Sequence, residues 1–499
     1  MYSLHYEIEA TERTLEGLKR EQAAIKCAWA RVQNCTNPSF RIPEEILSEI
    51  FRIGYTVAGD ICMAEETTYL GTITSVCHHW RQTAIGSAPL WTNIVAEAGD
   101  FNPKMRLYLE RSREAPLRFT VIADNRLNKW ASGQIRNWMD SLGSYLARTH
   151  SLTIRTTDHD VAQTIFPLRV PMPSLQYFAF EAFERTQIRQ PLEEQRSREG
   201  LRLLDPTVAA PAKIIVSVRD ASLPILWDLD QLRTMTHLKL DSWAACPTKD
   251  VVHLVRRCTN LKSLCWLQAL EEDVLHGNDM ECFSSLTLES LQMDLAAKGS
   301  ERSSVIWTMQ FPRLKHLTIY AVIGDSQWVD QALGSVERFP MLQTAWLSSA
   351  AFSPTAINAF LSAHPTIEEF GCRLHASIGG VLSVLAEPTS TLPLKARSPS
   401  LRFLYILGAS TTYEGESQPS EVISRVCAAV RGLLRVRGIG AIGIGEGSEL
   451  VPLKIQLNDK TWESRDAIPK EYAVLQQEFP ECLRLTGNDD TIPTRFNPT

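Results

Sequence analysis

Long apolar runs, paired cysteines and blocks of one charge are all missing from this chain. No apolar stretch approaches the ~20 residues that a helix needs to span a bilayer, so no membrane partner is expected. Met1 to Glu7 shows no basic segment followed by an apolar core, so no secretory leader is expected. The 11 cysteines are scattered, with no Cys-x-x-Cys pair and no regular histidine spacing. That argues against a metal site and a disulfide framework, and for buried thiols in a reducing setting, cytoplasmic or nuclear. Asn34-Cys35-Thr36 spells a glycosylation sequon that has no meaning without secretion. No run of Lys or Arg stands out and the formal net charge is −6, so nucleic acid is not the expected partner.

Catalytic strings are equally scarce. The chain has no Gly-x-Ser-x-Gly and no phosphate-binding Walker loop. Gly438-Ile439-Gly440-Ala441-Ile442-Gly443 is a literal G-x-G-x-x-G, but a dinucleotide site needs a helix to start directly after it. Here Gly445, Gly447 and Pro452 follow, so a glycine-rich turn is the expected structure. His78 and His79 are adjacent, and neighbours on a helix do not face one another, so they cannot share a metal unaided. No cofactor and no enzymatic activity are expected.

What the chain does have begins at Ile42. Ile42-Pro43-Glu44-Glu45-Ile46-Leu47-Ser48-Glu49-Ile50-Phe51 sets proline at a helix start, where its fixed φ suits the turn. Glu44 and Glu45 fall in the first turn, where the helix dipole favours negative charge. Ile46, Leu47, Ile50 and Phe51 fall at helical spacing. Val76-Cys77-His78-His79-Trp80-Arg81 gives a second apolar stripe, expected on one later helix, and Pro89-Leu90-Trp91 closes the segment.

This stretch resembles an F-box. That family pairs a Leu-Pro-x-Glu-Ile-Leu-x-x-Ile-Phe type of helix with a Val-Cys-x-x-Trp-Arg type of helix and often ends on Leu-Trp. Ile42 stands where the family usually has Leu, and the segment from Phe51 to Thr72 is longer than in the shortest members. The resemblance implies a small helical unit that docks on the Skp-type adaptor, and through it cullin, of a cullin–RING ubiquitin ligase. By matching position, Ile42, Pro43, Glu45, Ile46, Leu47, Ile50, Phe51, Val76, Cys77, Trp80 and Arg81 would form or support the docking face.

Residues 1–35 are expected to be one helix. Ile8, Leu15, Gln22 and Trp29 fall seven apart, and Leu4, Thr11, Leu18, Ile25 and Val32 form a second set. Together they make a heptad seam weakened by Thr11 and Gln22. It suits either a coiled-coil dimer or a helix packed on its own F-box. Asn37-Pro38-Ser39 ends it.

After Trp91 a helix is expected over Met105–Ser112, a strand at Leu117, Phe119 and Val121, and another helical piece over Trp138–Ala147. Then a phrase recurs: apolar, two residues, apolar, one residue, apolar. It appears at Leu175, Phe178 and Phe180, more loosely at Ile215, Val216 and Val218, and at Met235, Leu238 and Leu240. It continues through Leu261, Leu288, Leu314, Leu342, Ile367 and Leu401. From Met235 to Ile367 the lead residues stand 26, 27, 26, 28 and 25 apart. That lies within the roughly 20–29 residue period of leucine-rich repeats. A proline recurs at or just before several phrases (Pro173, Pro312, Pro340, Pro365, Pro399) and would keep the returning helix out of the strand. Arg185–Gly200 and Tyr413–Ser420 are expected to be exposed loops. Val422–Leu434 is expected to be helical, and Leu453, Ile455 and Leu457 to form a late strand.

The expected architecture is α/β: a helix (1–35), an all-α F-box (36–95), a connecting segment (96–147), an irregular leucine-rich-repeat solenoid (148–486) with parallel strands inside and helices outside, and a tail (487–499). By resemblance, the chain belongs with the F-box proteins of mushroom-forming fungi. The expected role is substrate recognition for an SCF-type ligase, the repeats binding a protein client. The alternative is a repeat scaffold with no ubiquitin role.

Overall fold

The computed structural model describes residues 2–36, 42–61, 63–97, 103–123, 137–138, 140–156, 165, 168, 171–182, 201–202, 204, 211–218, 225–226, 231–242, 248–267, 284–294, 310–320, 339–348, 354–374, 400–408, 427–428, 430–431, 434, 454–459, 470–479 and 482–487. The chain divides into two compact units, residues 1–95 with 101–119, and residues 96–100 with 120–499. Residues 101–119, expected in a connecting segment, thus group with the first unit.

The first unit is helical. It contains α1 (Tyr2–Thr36), α2 (Glu44–Ile61), α3 (Met63–Val76), α4 (His78–Gly86), a 3-10 turn (Ala88–Trp91) and α5 (Pro103–Arg111). Of the longer segment after Phe51, residues 52–61 end α2 and residues 63–71 begin α3. Leu47, Phe51 and Tyr55 of α2 pack with Leu70 and Ile73 of α3, Ala84 of α4, and Leu90 and Trp91. Gly54 permits the α2–α3 contact, since a Cβ there would run into the Tyr69 ring and hydroxyl. Trp91 closes the unit: its indole Nε1 donates to the Ala84 carbonyl at 2.8 Å, and Tyr108 of α5 meets its ring edge-on at 5.0 Å. The Arg111 guanidinium lies over the same ring at 4.4 Å. By contrast, no side chain described on α1 belongs to this core. Every side chain described on it, residues 5–30 and Val32, is exposed.

Two short strands, β1 (Asn93–Glu97) and β2 (Leu117–Ala123), lie where the chain passes between the units. The second unit continues with β3 (Thr149–Thr156), β4 (Tyr177–Ala182), β5 (Leu201–Arg202), β6 (Lys213–Val218), β7 (Ile225–Leu226), β8 (His237–Ser242), β9 (Ser263–Trp266), β10 (Ser290–Asp294) and β11 (His316–Tyr320). It ends with β12 (Thr344–Ser348), β13 (Glu369–Leu374), β14 (Phe403–Gly408), β15 (Lys454–Asp459) and β16 (Leu483–Gly487). Strand β5 pairs only with β7. The other twelve strands from β3 to β16 follow one another in chain order in one open sheet and are parallel throughout, which is the sheet of a repeat solenoid of leucine-rich-repeat type.

The recurring phrase explains this sheet. In strands, successive side chains point to opposite faces, so the second and third apolar residues of each phrase point the same way. The register stacks them: Leu291 pairs with Leu317 and Met293 with Ile319, Leu317 with Ala345 and Ile319 with Leu347, Ala345 with Phe370 and Leu347 with Cys372. All of these are buried. At β6 the register corrects the sequence reading. Ile214 and Val216, not Val216 and Val218, align with Phe178 and Phe180 and with Leu238 and Leu240. The run Ile-Ile-Val has no polar residue to mark a face, so the neighbouring strands set its register.

Ahead of each phrase lies a position that the period did not reveal. At six of the phrases the N–H of the lead residue donates to the carbonyl three residues back: Leu175 to Met172, Met235 to Leu232, Leu261 to Cys258, Leu314 to Phe311, Leu342 to Phe339 and Ile367 to His364, at 3.0–3.2 Å. Those turn-opening residues are themselves buried. Phe311 and Phe339 stack at 6.3 Å, and Phe339 and His364 at 5.9 Å, so a second ladder runs beside the sheet. The recurring prolines now have a sharper reason. Pro173, Pro312, Pro340 and Pro365 occupy the second turn position, where a φ fixed near −65° and a missing N–H suit the turn.

Helices return between strands where they are described. Thr248–Arg257 lies between β8 and β9 and buries Val251, Leu254 and Val255. Pro354–Ala363 lies between β12 and β13 and buries Ile357, Phe360 and Leu361. Lys470–Glu478 precedes β16. Residues 328–338, the glycine string 438–443 and the expected loops 185–200 and 413–420 lie outside the described residues, as does most of 422–434, where Cys427, Val430 and Leu434 are buried.

Candidate functional site

Helix α2 is apolar on two faces, and only one of them is used by the fold. Leu47, Phe51 and Tyr55, at i, i+4 and i+8, form the inner stripe and are almost fully buried. Ile46, Ile50 and Ile53, at i, i+4 and i+7, form an outer stripe that is 55%, 47% and 54% exposed. Val76, at the end of α3, is 53% exposed. Ile53 is not among the residues that the motif picks out, although its spacing from Ile46 and Ile50 places it on the same face. Charge borders this stripe. Glu45 is exposed, and Arg52 Nε donates to Glu49 Oε2 at 2.7 Å. The Arg52 hydrogen bond holds the Glu49 carboxyl below its usual range.

The remaining sequence-selected residues divide by role. The Pro43 carbonyl accepts the Leu47 N–H at 3.0 Å and so opens α2. Ile42 is half-buried against the core. Leu47 and Phe51 hold the outer face up from beneath rather than contribute to its surface. Trp80 meets Phe51 edge-on at 5.0 Å and 62°, tying α4 to α2.

The expectation of one helix over Val76–Arg81 is corrected. Helix α3 ends at Val76, and Cys77 is the extended residue that caps α4, its Sγ accepting the Trp80 N–H at 3.4 Å. Arg81 then reaches back, its Nε donating to the Thr74 carbonyl at 2.8 Å. That satisfies one of the orphan carbonyls at the end of α3. Ser48 Oγ donates to Ser87 Oγ at 2.8 Å, clamping the exit of α4 to α2. A cysteine is a rare cap, which is why the break between the helices was not legible.

In the second unit, the sheet face opposite the core carries Gln292, Thr318, Trp346, Gly371 and Tyr405 in successive strands. Trp346 is buried with Tyr405, and a Cβ on Gly371 would run into its indole. Trp266 instead lies on the core face, in register with Met293 and Leu240. Trp243, Trp307 and Trp328 lie outside the described residues.

Two of the buried thiols are held protonated. Burial pushes Cys258 and Cys372 up to about 12, so neither forms a thiolate near neutrality. Among the described residues no group of three or more His, Cys, Asp or Glu side chains is placed to hold a metal ion, and no helix is long and apolar enough to cross a membrane. Compared with known proteins, the chain matches no family model and no curated relative.

Proposed function

We propose that this chain is a substrate-recognition subunit of an SCF-type cullin–RING ubiquitin ligase. Its first unit docks on a Skp-type adaptor, and its repeat sheet binds a protein client. The chain itself carries no catalysis. The observation that supports this reading is the bare outer stripe of α2 in a unit that also carries the Pro-x-Glu-Ile-Leu and Trp-Arg signatures. Ile46, Ile50 and Ile53 leave contiguous apolar surface on a helix whose opposite face already fills the core. Such a face fits a groove on a partner read at i, i+4 and i+7.

The test is co-expression with a Skp-type adaptor, comparing the parent chain with an Ile46→Asp, Ile50→Asp variant. Two charges forced into an apolar interface weaken binding roughly 100-fold or more. Both positions are exposed, so the variant keeps the parent's thermal transition. A one-to-one complex that the variant loses supports the reading. A chain that ignores the adaptor leaves a parallel-sheet repeat scaffold with no ubiquitin role.

A further inference from the structure

We propose that α1 joins two copies of this chain through an antiparallel coiled coil. The helix is 35 residues long, roughly 50 Å at 1.5 Å per residue. Ile8, Leu15, Gln22 and Trp29 occupy one heptad position, called a. Thr11, Leu18, Ile25 and Val32 occupy the other, d. All of them are exposed, so nothing in the chain's described residues covers the seam. The ion pairs that run along the helix, Glu9 with Arg13 and Glu16 with Arg20, fall at the outer positions b and f. They stabilise the helix without entering the seam.

The order of residues along the seam selects the occupant. With Leu15 of one copy opposite Leu18 of the second, an antiparallel pair also sets Ile8 opposite Ile25. It sets Gln22, the polar a residue, opposite Thr11, the polar d residue. Thr11 Oγ1 donates to the Glu7 carbonyl at 2.7 Å, which leaves its lone pairs to accept the Gln22 amide N–H of the second copy. The same alignment places Glu12 beside Lys19 of the second copy, once on each side of the two-fold axis. A parallel pair would instead set Glu7 against Glu12 and Glu21 against Lys26, each twice, so that its flanking charges cancel. Apolar layers, polar layer and flanking charges thus all match the same antiparallel alignment, as an isologous two-fold contact requires. This inference does not rest on the adaptor reading.

Light scattering on the purified full chain tests it. The expected mass is that of two chains, falling to one for Leu15→Asp with Leu18→Asp. Because Leu15 and Leu18 are exposed and belong to neither core, the thermal transition of the rest stays in place. Charge reversal then fixes direction. Glu12→Lys alone and Lys19→Glu alone each weaken the dimer roughly tenfold, and the double reversal restores it. A one-chain mass at every concentration overturns the proposal. So does a Glu12→Lys variant that dimerises more tightly, because that substitution relieves the Glu7–Glu12 repulsion of a parallel pair.

Discussion

Cys77 shows how one side chain decides a boundary between helices. A hydroxyl cap accepts the N–H of the third helical residue at hydrogen-bond distance, whereas Cys77 does so through sulfur at 3.4 Å, a weak acceptor. Cys77→Ser should therefore strengthen the start of α4 and raise stability by about 0.5–1 kcal/mol. Thermal unfolding of the two forms checks it. A fall in midpoint would mean that the thiol matters for packing rather than capping. The same residue-scale logic separates the two faces of α2. Leu47→Ala or Phe51→Ala opens a cavity costing about 2–5 kcal/mol, so adaptor binding lost in such variants would not distinguish a broken interface from a broken fold. Substitutions at Ile46 and Ile50 leave the core untouched, which makes them the informative pair.

Between the helix Pro354–Ala363 and β13, the turn-opening position that holds Phe311 and Phe339 in earlier repeats holds His364 instead. Its ring packs edge-on against Phe360 at 4.8 Å. Burial lowers its pKa to about 4, outweighing a hydrogen bond with the Phe339 backbone that acts the other way. The unfolded chain, with an ordinary imidazole near 6.5, binds this proton more readily, so stability rises with pH between about 4 and 6.5. Acidifying through that window should cost on the order of 2 kcal/mol. His364→Phe, which restores the aromatic of the neighbouring repeats, should remove that part of the pH dependence. Urea unfolding at pH 7 and pH 5 measures both. These turn residues also mark what was legible in the sequence. The apolar phrase was, because each repeat buries alternate residues on one face. The turn position was not, because it varies among Met, Leu, Cys, Phe and His and keeps only its burial. The outer stripe of α2 was read as part of one apolar pattern, since Ile46 beside Leu47 and Ile50 beside Phe51 do not declare which face is packed. At β6 the all-apolar run hid its register for the same reason.

In the second unit, each strand from β3 to β16, β5 and β7 apart, pairs only with its neighbours in the chain order, so local damage should stay local. The backbone makes this visible: Glu289 donates to Lys262, Lys315 to Glu289, Gln343 to Lys315, Glu368 to Gln343 and Arg402 to Glu368, each at 2.7–2.9 Å. Side chains reinforce some of these steps, as where Lys315 Nζ meets Glu289 Oε2 at 2.7 Å. In such an array stability is a sum of repeat and nearest-neighbour terms rather than one indivisible transition. Phe370 offers the test. It is fully buried in β13, in register with Ala345 of β12 and Leu404 of β14. Phe370→Ala should cost about 3–5 kcal/mol. Amide hydrogen exchange should then lose protection in β12, β13, β14 and the helix Pro354–Ala363, while β3, β4 and β6 keep theirs, because no shared strand or side-chain layer links them to the cavity. If protection fell evenly from β3 to β16, the sheet would be one cooperative block, and the turn ladder Phe311, Phe339 and His364 would then be the element coupling its repeats across the individual strands.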